Sequence, residues 1–130
     1  MRNYSMKLEK YGIDRQRYEE LRAICRQYDK YRRLDAKIHR GEYDRPEGGN
    51  SAWKKSDPTG NTAIWQVANR YAQRVRAIEE AARAASPALA RYIIQNVARG
   101  KTYEQLTPPC GRRQFIEAKR RFFVELDERL

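Results

Sequence analysis

The sequence predicts an all-α fold, in which a long helical hairpin precedes a C-terminal helix-turn-helix unit. Two observations favour it. Apolar residues recur at steps of three and four along most of the chain, and capping residues or glycines stand at the ends of those stretches. We expect two segments: residues 1–61 with the first helix and a linker, and residues 62–130 with the remaining helices.

Charge and composition narrow the class of partner. The 130 residues include 28 Lys and Arg against 17 Asp and Glu, a formal net charge of +11, which favours a polyanionic partner. Hydrophobic residues make up 40%, enough for a modest core. No apolar run is long enough to span a membrane, and the first ten residues are too polar for a signal peptide. We therefore expect a cytoplasmic protein without a membrane partner.

Cysteine and histidine are too scarce for most site chemistry. Cys25, Cys110 and His39 lie far apart, whereas a zinc site uses four ligands, usually in close pairs. Glu79 and Glu80 are adjacent, so on a helix they point about 100° apart and do not face each other. We expect reduced thiols, no metal or other cofactor, and no enzymatic activity.

The first helix is predicted over residues 15–40. Asp14 is a suitable N-cap, and Gly41 supplies the stop. The apolar stripe comprises Leu21, Ile24, Tyr28, Tyr31 and Ile38. The helix carries nine cations against four acids, among them Arg22, Arg26 and Arg33 as candidates for contacts with flanking phosphates. A solvated basic face is the alternative.

Residues 42–61 are rich in proline, glycine and charge, which predicts a mobile linker. Trp53 is its large apolar residue, and it either anchors the linker on the core or stacks on a base. Thr62 is the expected cap of a second helix that runs to Ala85. Its apolar positions have a 3.5-residue period, at Ile64, Ala68, Tyr71, Val75, Ile78, Ala82 and Ala85. They predict packing against the first helix, self-association into a homodimer, or both.

Helix caps and helix-breaking residues divide the last 45 residues into three predicted helices. Ser86 and Pro87 are expected to cap and begin a third helix, which ends at Gly100. Thr102 caps a short helix over residues 103–106. The Pro-Pro-Cys-Gly stretch that follows excludes helix, and a last helix covers residues 112–129. A short helix, a tight turn and a longer helix form the helix-turn-helix layout, whose final helix lies in the major groove.

The last helix has an apolar side and a cationic side. The apolar side is predicted to comprise Phe115, Ala118, Lys119, Phe122, Phe123 and Leu126. Seven cations and two acids lie between Arg99 and Arg121. Arginine forms bidentate contacts with guanine, and glutamine can read adenine. The candidate DNA-contacting residues are Arg99, Lys101, Arg112, Arg113, Gln114, Glu117, Arg120 and Arg121.

Four short stretches near the C-terminus resemble a known family. They are Tyr92-Ile93-Ile94, Arg99-Gly100-Lys101-Thr102-Tyr103-Glu104-Gln105-Leu106, Gly111-Arg112-Arg113-Gln114-Phe115 and Arg120-Arg121-Phe122-Phe123. It is similar to the helix-turn-helix of small phage and prophage transcriptional regulators of the RinA- and ArpU-like type, whose C-terminal domain is similar to region 4 of sigma factors. The resemblance covers residues 62–130. It implies base and phosphate contacts by Arg112, Arg113, Gln114, Glu117 and Arg121, with RNA polymerase as a plausible partner.

Three functional hypotheses follow. The leading one is a phage-type transcriptional regulator that binds double-stranded DNA through the C-terminal helix. A small terminase-like DNA-packaging protein would also bind DNA and self-associate through long helices. A protein-binding inhibitor module without a nucleic acid ligand is the third, and failure to shift any duplex at low salt would favour it.

Overall fold

A computed structural model describes residues 6–39 and 58–130 of the chain. This part is all-helical and contains no β-strand. A 3₁₀ turn at Glu9–Tyr11 precedes helices α1 (Arg15–Arg26), α2 (Tyr28–His39), α3 (Pro58–Ala85), α4 (Ala90–Arg99), α5 (Tyr103–Leu106) and α6 (Arg112–Arg129). The expected end of the first helix at residue 40, the stop at Gly41, most of the linker and Trp53 lie outside the described residues.

The prediction of one continuous first helix is wrong, because the chain forms α1 and α2 with a break at Gln27. Asp14 caps α1 as expected, its carboxylate accepting from the Arg17 amide at 2.8 Å. Gln27 leaves the helical region, with φ −95° and ψ 8°. The two halves pack on different partners, α1 on α4 and α6 and α2 on α3, so the break lets each half follow its own neighbour.

Helix α3 begins at Pro58, four residues before the predicted cap Thr62. Proline suits the first helical position, because the amide that it lacks would have no intrahelical partner there. The expected boundary between residues 61 and 62 therefore falls inside a helix. The side chains of Ile64 and Ala68 are outside the described part. Tyr71 and Val75 are half-buried, whereas Ile78, Ala82 and Ala85 are buried, as the apolar period predicts.

Tyrosine hydroxyls join α2 to α3. Tyr28 donates to Glu79 Oε2 at 2.6 Å, and Arg74 donates to the Tyr31 hydroxyl at 2.7 Å. The Tyr31 ring stacks on Tyr71, with 5.7 Å between ring centroids. Later residues of α2 thus meet earlier residues of α3, so the two helices run antiparallel. Burial and the Glu79 carboxylate raise the pKa of Tyr28 to about 12.

The start of the next helix also differs from expectation. Pro87 was expected at its first position, but α4 begins at Ala90, after a turn over residues 87–89. Ser86 still caps this turn, because its hydroxyl and its carbonyl both accept from the Leu89 amide, at 3.3 Å and 3.1 Å. Ser86 therefore caps this turn and not α4 itself, whose N-cap is Leu89 without a side-chain hydrogen bond, and the helix is shorter at its N-terminus than predicted.

One hydrophobic core unites both predicted segments. It draws Leu8, Ile13, Leu21 and Cys25 from the N-terminal part and Ile78, Ile93, Phe122, Phe123 and Leu126 from the C-terminal part. Helix α3 packs mainly against α2 and α6. Its buried alanines permit close approach, since a methyl group occupies little space between two helix axes. The core holds the last helix by its apolar side and leaves part of the other side exposed.

Candidate nucleic-acid interface

The chain between α4 and α6 is fixed by local hydrogen bonds. Gly100 ends α4 in the left-handed region (φ 71°), and its amide donates to the Asn96 carbonyl. Thr102 and Gln105 form a reciprocal capping box at the start of α5. These caps follow from the sequence, and all three predicted bounds here, the ends of α4 and α5 and the start of α6, are confirmed.

Tyr103 fixes the turn between α5 and α6. Its hydroxyl donates to the Cys110 carbonyl at 2.6 Å, across the Pro-Pro turn. Its ring contacts Phe115, with 5.8 Å between centroids, and so reaches the first turn of α6 from α5. Thr107 adopts φ 43°, a left-handed conformation that reverses the chain directly after α5. The start of α6 is therefore held in a defined position.

Helix α6 has a buried side and an exposed side. The buried residues are Phe115, Ala118, Phe122, Phe123 and Leu126, all predicted from the helical period. Arg113, Gln114, Glu117 and Arg121 are exposed. At about 100° per residue these four fall within a sector of about 100°, opposite the aromatic side. No acidic side chain lies within ion-pair distance of Arg113 or Arg121 among the described residues.

Two other predicted contact residues, Arg112 and Arg99, form ion pairs within the protein. Arg112 pairs with Glu104 and lies over the Tyr103 ring, 4.8 Å from its centroid. Arg99 forms two hydrogen bonds of 2.9 Å with Asp29, and this guanidinium lowers the pKa of Asp29 below its usual range.

Arg120 is the most enclosed of the predicted set, with 15% of its side chain exposed. It donates to the Met6 carbonyl at 2.6 Å and pairs with Glu117 at 2.7 Å. Lys101 is exposed at the end of α4. The predicted residues thus divide into an outward set on α6 with Lys101, and the held set of Arg99, Arg112 and Arg120.

The N-terminal segment contributes residues that the sequence reasoning did not assign to the site. Met6 is buried, and beside it Lys7 lines a shallow depression of about 530 Å³ with Arg112, Arg113 and Ile116. Ile116 is 38% exposed, which makes it an apolar residue among cations. Met6 and Leu8 are apolar residues in a polar stretch of sequence, but their spacing does not identify the helix that they contact.

The described residues hold no assembled metal site. Among residues 6–39 and 58–130, no group of three or more His, Cys, Asp or Glu side chains is placed to hold a metal ion. None of the helices in those ranges is both long and apolar enough to cross a membrane. Comparisons of the chain with protein-family models, with curated proteins and with solved structures found no match.

Proposed function

We propose that the protein binds double-stranded DNA through the exposed side of α6, and that it does so as a transcriptional regulator. The observation that carries this proposal is the division of α6 itself. Its aromatic side is buried in the core, while Arg113, Gln114 and Arg121 point away from the core. An α-helix whose apolar side is buried and whose exposed side carries arginines has the form that enters a major groove.

The outward side chains have the chemistry that reads base edges. Arginine donates two hydrogen bonds to guanine O6 and N7, and glutamine both donates to and accepts from adenine. Arg113 and Gln114 lie in the first turn of α6, and N-terminal residues of a recognition helix are those that contact bases. Lys7 and Lys101 are suited to phosphates, because lysine provides a point charge without base discrimination.

The arrangement of α4, α5 and α6 supports a helix-turn-helix as the DNA-binding unit. The resemblance of this stretch to RinA- and ArpU-like regulators supports regulation of transcription, with RNA polymerase as a partner and a cytoplasmic location. The contacts of Arg112 with Glu104 and with the Tyr103 ring give Arg112 a positioning role between α5 and α6. We assign base contacts to Arg113, Gln114 and Arg121.

The test removes the two outward arginines together. A duplex selected from a random pool by the parent protein is titrated with the Arg113→Ala, Arg121→Ala variant, using fluorescence anisotropy at low salt. Each arginine contact to a base contributes about 1–3 kcal/mol, so we expect affinity to fall at least about tenfold. Both side chains are exposed, so helical circular dichroism is expected to stay unchanged.

The matched control is Arg83→Ala, Arg91→Ala. These two exposed arginines line a different surface beside Pro87, so the same charge is lost elsewhere. We expect this variant to bind the duplex much as the parent does. Equal losses in both double variants would mean that net charge alone drives binding, and no loss in the α6 variant would refute the assignment of α6.

A further inference from the structure

A second basic region lies on the flank of α6, in a cleft between α1, the end of α4 and α6. Its volume is about 450 Å³. Its lining includes Tyr18, Arg22, Arg26, Arg99, Lys119 and Phe123. Four of these side chains are cationic, and no acidic side chain is among the described residues that line it.

The cations differ in how far they are already neutralised. Arg99 is held by Asp29 through two hydrogen bonds, and Arg22 lies 3.5 Å from Glu19. Neither Arg26 nor Lys119 forms an ion pair within the described part of the chain. Two positive charges in this cleft therefore lack an internal partner.

Lys119 is the unusual member of the set. It is half-buried, on the same side of α6 as Phe115 and Phe122, where the helical period places apolar residues. Burial and the nearby Arg22 guanidinium lower the pKa of Lys119 below its usual range. A recessed ammonium beside other cations is unfavourable by itself, and a bound anion would offset that cost.

The remaining walls are compatible with an anion. Two carbonyls near the end of α4 that would repel one, those of Gln95 and Asn96, accept from the Lys101 and Gly100 amides. Tyr18 and Phe123 are buried and meet edge to face at 5.1 Å, which gives the cleft a firm apolar back wall. Guanidinium and ammonium groups are the side-chain groups that bind phosphate oxygens in proteins.

We propose that this cleft binds a phosphate group, with Lys119 at the floor and Arg22 and Arg26 at the rim. The inference does not depend on the DNA-binding side of α6. The cleft also shares Lys119 with the depression beside Lys7 and Arg113, so a phosphate could come from a DNA backbone that crosses α6 or from a free phosphorylated compound.

The first experiment uses pyrophosphate and inorganic phosphate as probes, at constant ionic strength. Binding to the full chain is followed by ¹H–¹⁵N NMR at the Gly100 and Val97 amides. We expect saturable binding that is at least about tenfold weaker in Lys119→Met and in Arg26→Gln, and unchanged in the control Arg91→Gln. Lys119→Met keeps the length of the side chain, and Arg26 is exposed, so at least the second variant is expected to fold normally.

The second arm identifies the source of the phosphate. If Lys119→Met weakens binding of all duplexes equally and pyrophosphate competes with DNA, the cleft holds the backbone. If Lys119→Met abolishes pyrophosphate binding but leaves duplex affinity unchanged, the cleft holds a free phosphorylated compound. Absence of saturable probe binding together with unchanged duplex affinity would overturn the proposal, as would equal probe binding by all the variants.

The two proposals fail separately. The Arg113→Ala, Arg121→Ala variant leaves the cleft intact, so it is expected to bind pyrophosphate like the parent even where it no longer binds DNA. Loss of pyrophosphate binding in that variant would contradict the assignment of the cleft. A parent protein that binds no duplex but binds pyrophosphate would retain the cleft and refute the function proposed for α6.

Discussion

Residues of one type have different roles in α6 because their neighbours differ. Arg113 and Arg121 are exposed, whereas Arg120, only one position from Arg121, donates to the Met6 carbonyl and is largely enclosed. At about 100° per residue, adjacent positions on a helix face different surroundings. Removing Arg120 therefore tests the packing of the N-terminal segment, and removing Arg121 tests binding.

The two cysteines are a second case in which environment separates identical residues. Cys25 is buried, and burial raises its pKa to about 12, despite the nearby cations Lys119, Arg22 and Arg26. Cys110 lies half-buried in the turn before α6. Because the thiolate is the reactive form, a buried thiol with a raised pKa is protected both by access and by protonation.

We predict that one thiol per chain reacts with a chromogenic disulfide reagent in the native protein at pH 8, and two in denaturant. Mass analysis should place the native modification on Cys110. Fast modification of Cys25 in the native state would contradict this assignment.

The Cys25 thiol also makes the free energy of unfolding depend on pH. Unfolded Cys25 ionises at a lower pH than folded Cys25, so its contribution to stability is present at neutral pH and declines as the pH rises toward about 12.

At the scale of elements, caps decide where the helices of the C-terminal unit begin and end. Gly100 is the clearest example, because its φ of 71° is unfavourable for any residue with a Cβ atom. A Cβ added there would meet nothing within 4 Å, so the cost of a substitution comes from the backbone alone.

We expect Gly100→Ala to lower the free energy of unfolding by about 1–2 kcal/mol, measured by urea denaturation. Gly100→Asn should lose less, because asparagine tolerates the left-handed region better than alanine does. An alanine variant as stable as the parent would show that this glycine does not adopt a left-handed conformation in solution.

The division of α1 from α2 also belongs to this scale. Both halves have good helical periodicity, and the apolar stripe continues through Gln27 without a proline or glycine. The stripe nevertheless serves two surfaces, since Leu21 and Cys25 join the central core while Tyr31 stacks on Tyr71 of α3. A small change of direction at Gln27 satisfies both.

At the scale of the whole molecule, the net charge of +11 acts in opposite directions on folding and on binding. Like charges repel one another in the compact state, and salt screens this repulsion. Salt also weakens binding to DNA, because the counterions released from neutralised phosphates gain less entropy when the bulk salt concentration is high.

We therefore predict that raising NaCl from about 50 mM to about 200 mM increases the melting temperature of the free protein while it lowers duplex affinity steeply. Calorimetry of the free protein and anisotropy of the complex measure the two effects. The Arg113→Ala, Arg121→Ala variant should show a shallower salt slope than the parent. A melting temperature that falls with salt would show that internal ion pairs outweigh the repulsion.

The sequence by itself determined the local structure of the C-terminal unit. Thr102, Gly100 and the two prolines set the end of α4, both ends of α5 and the start of α6, because caps and forbidden helix positions act over a few residues. The period of Phe115, Phe122 and Leu126 likewise fixed the buried side of α6, and with it the outward positions of Arg113 and Arg121.

Only the tertiary structure decided which side chains are neutralised and which face a common cleft. The Met6–Arg120 hydrogen bond and the Arg17–Asp127 ion pair join residues more than 100 positions apart, at opposite ends of the chain. The cleft around Lys119 combines residues of three helices that meet through shared burial. The helical period and the capping residues carry no information about these long-range contacts, because the contacts depend on which apolar surfaces the whole chain buries together.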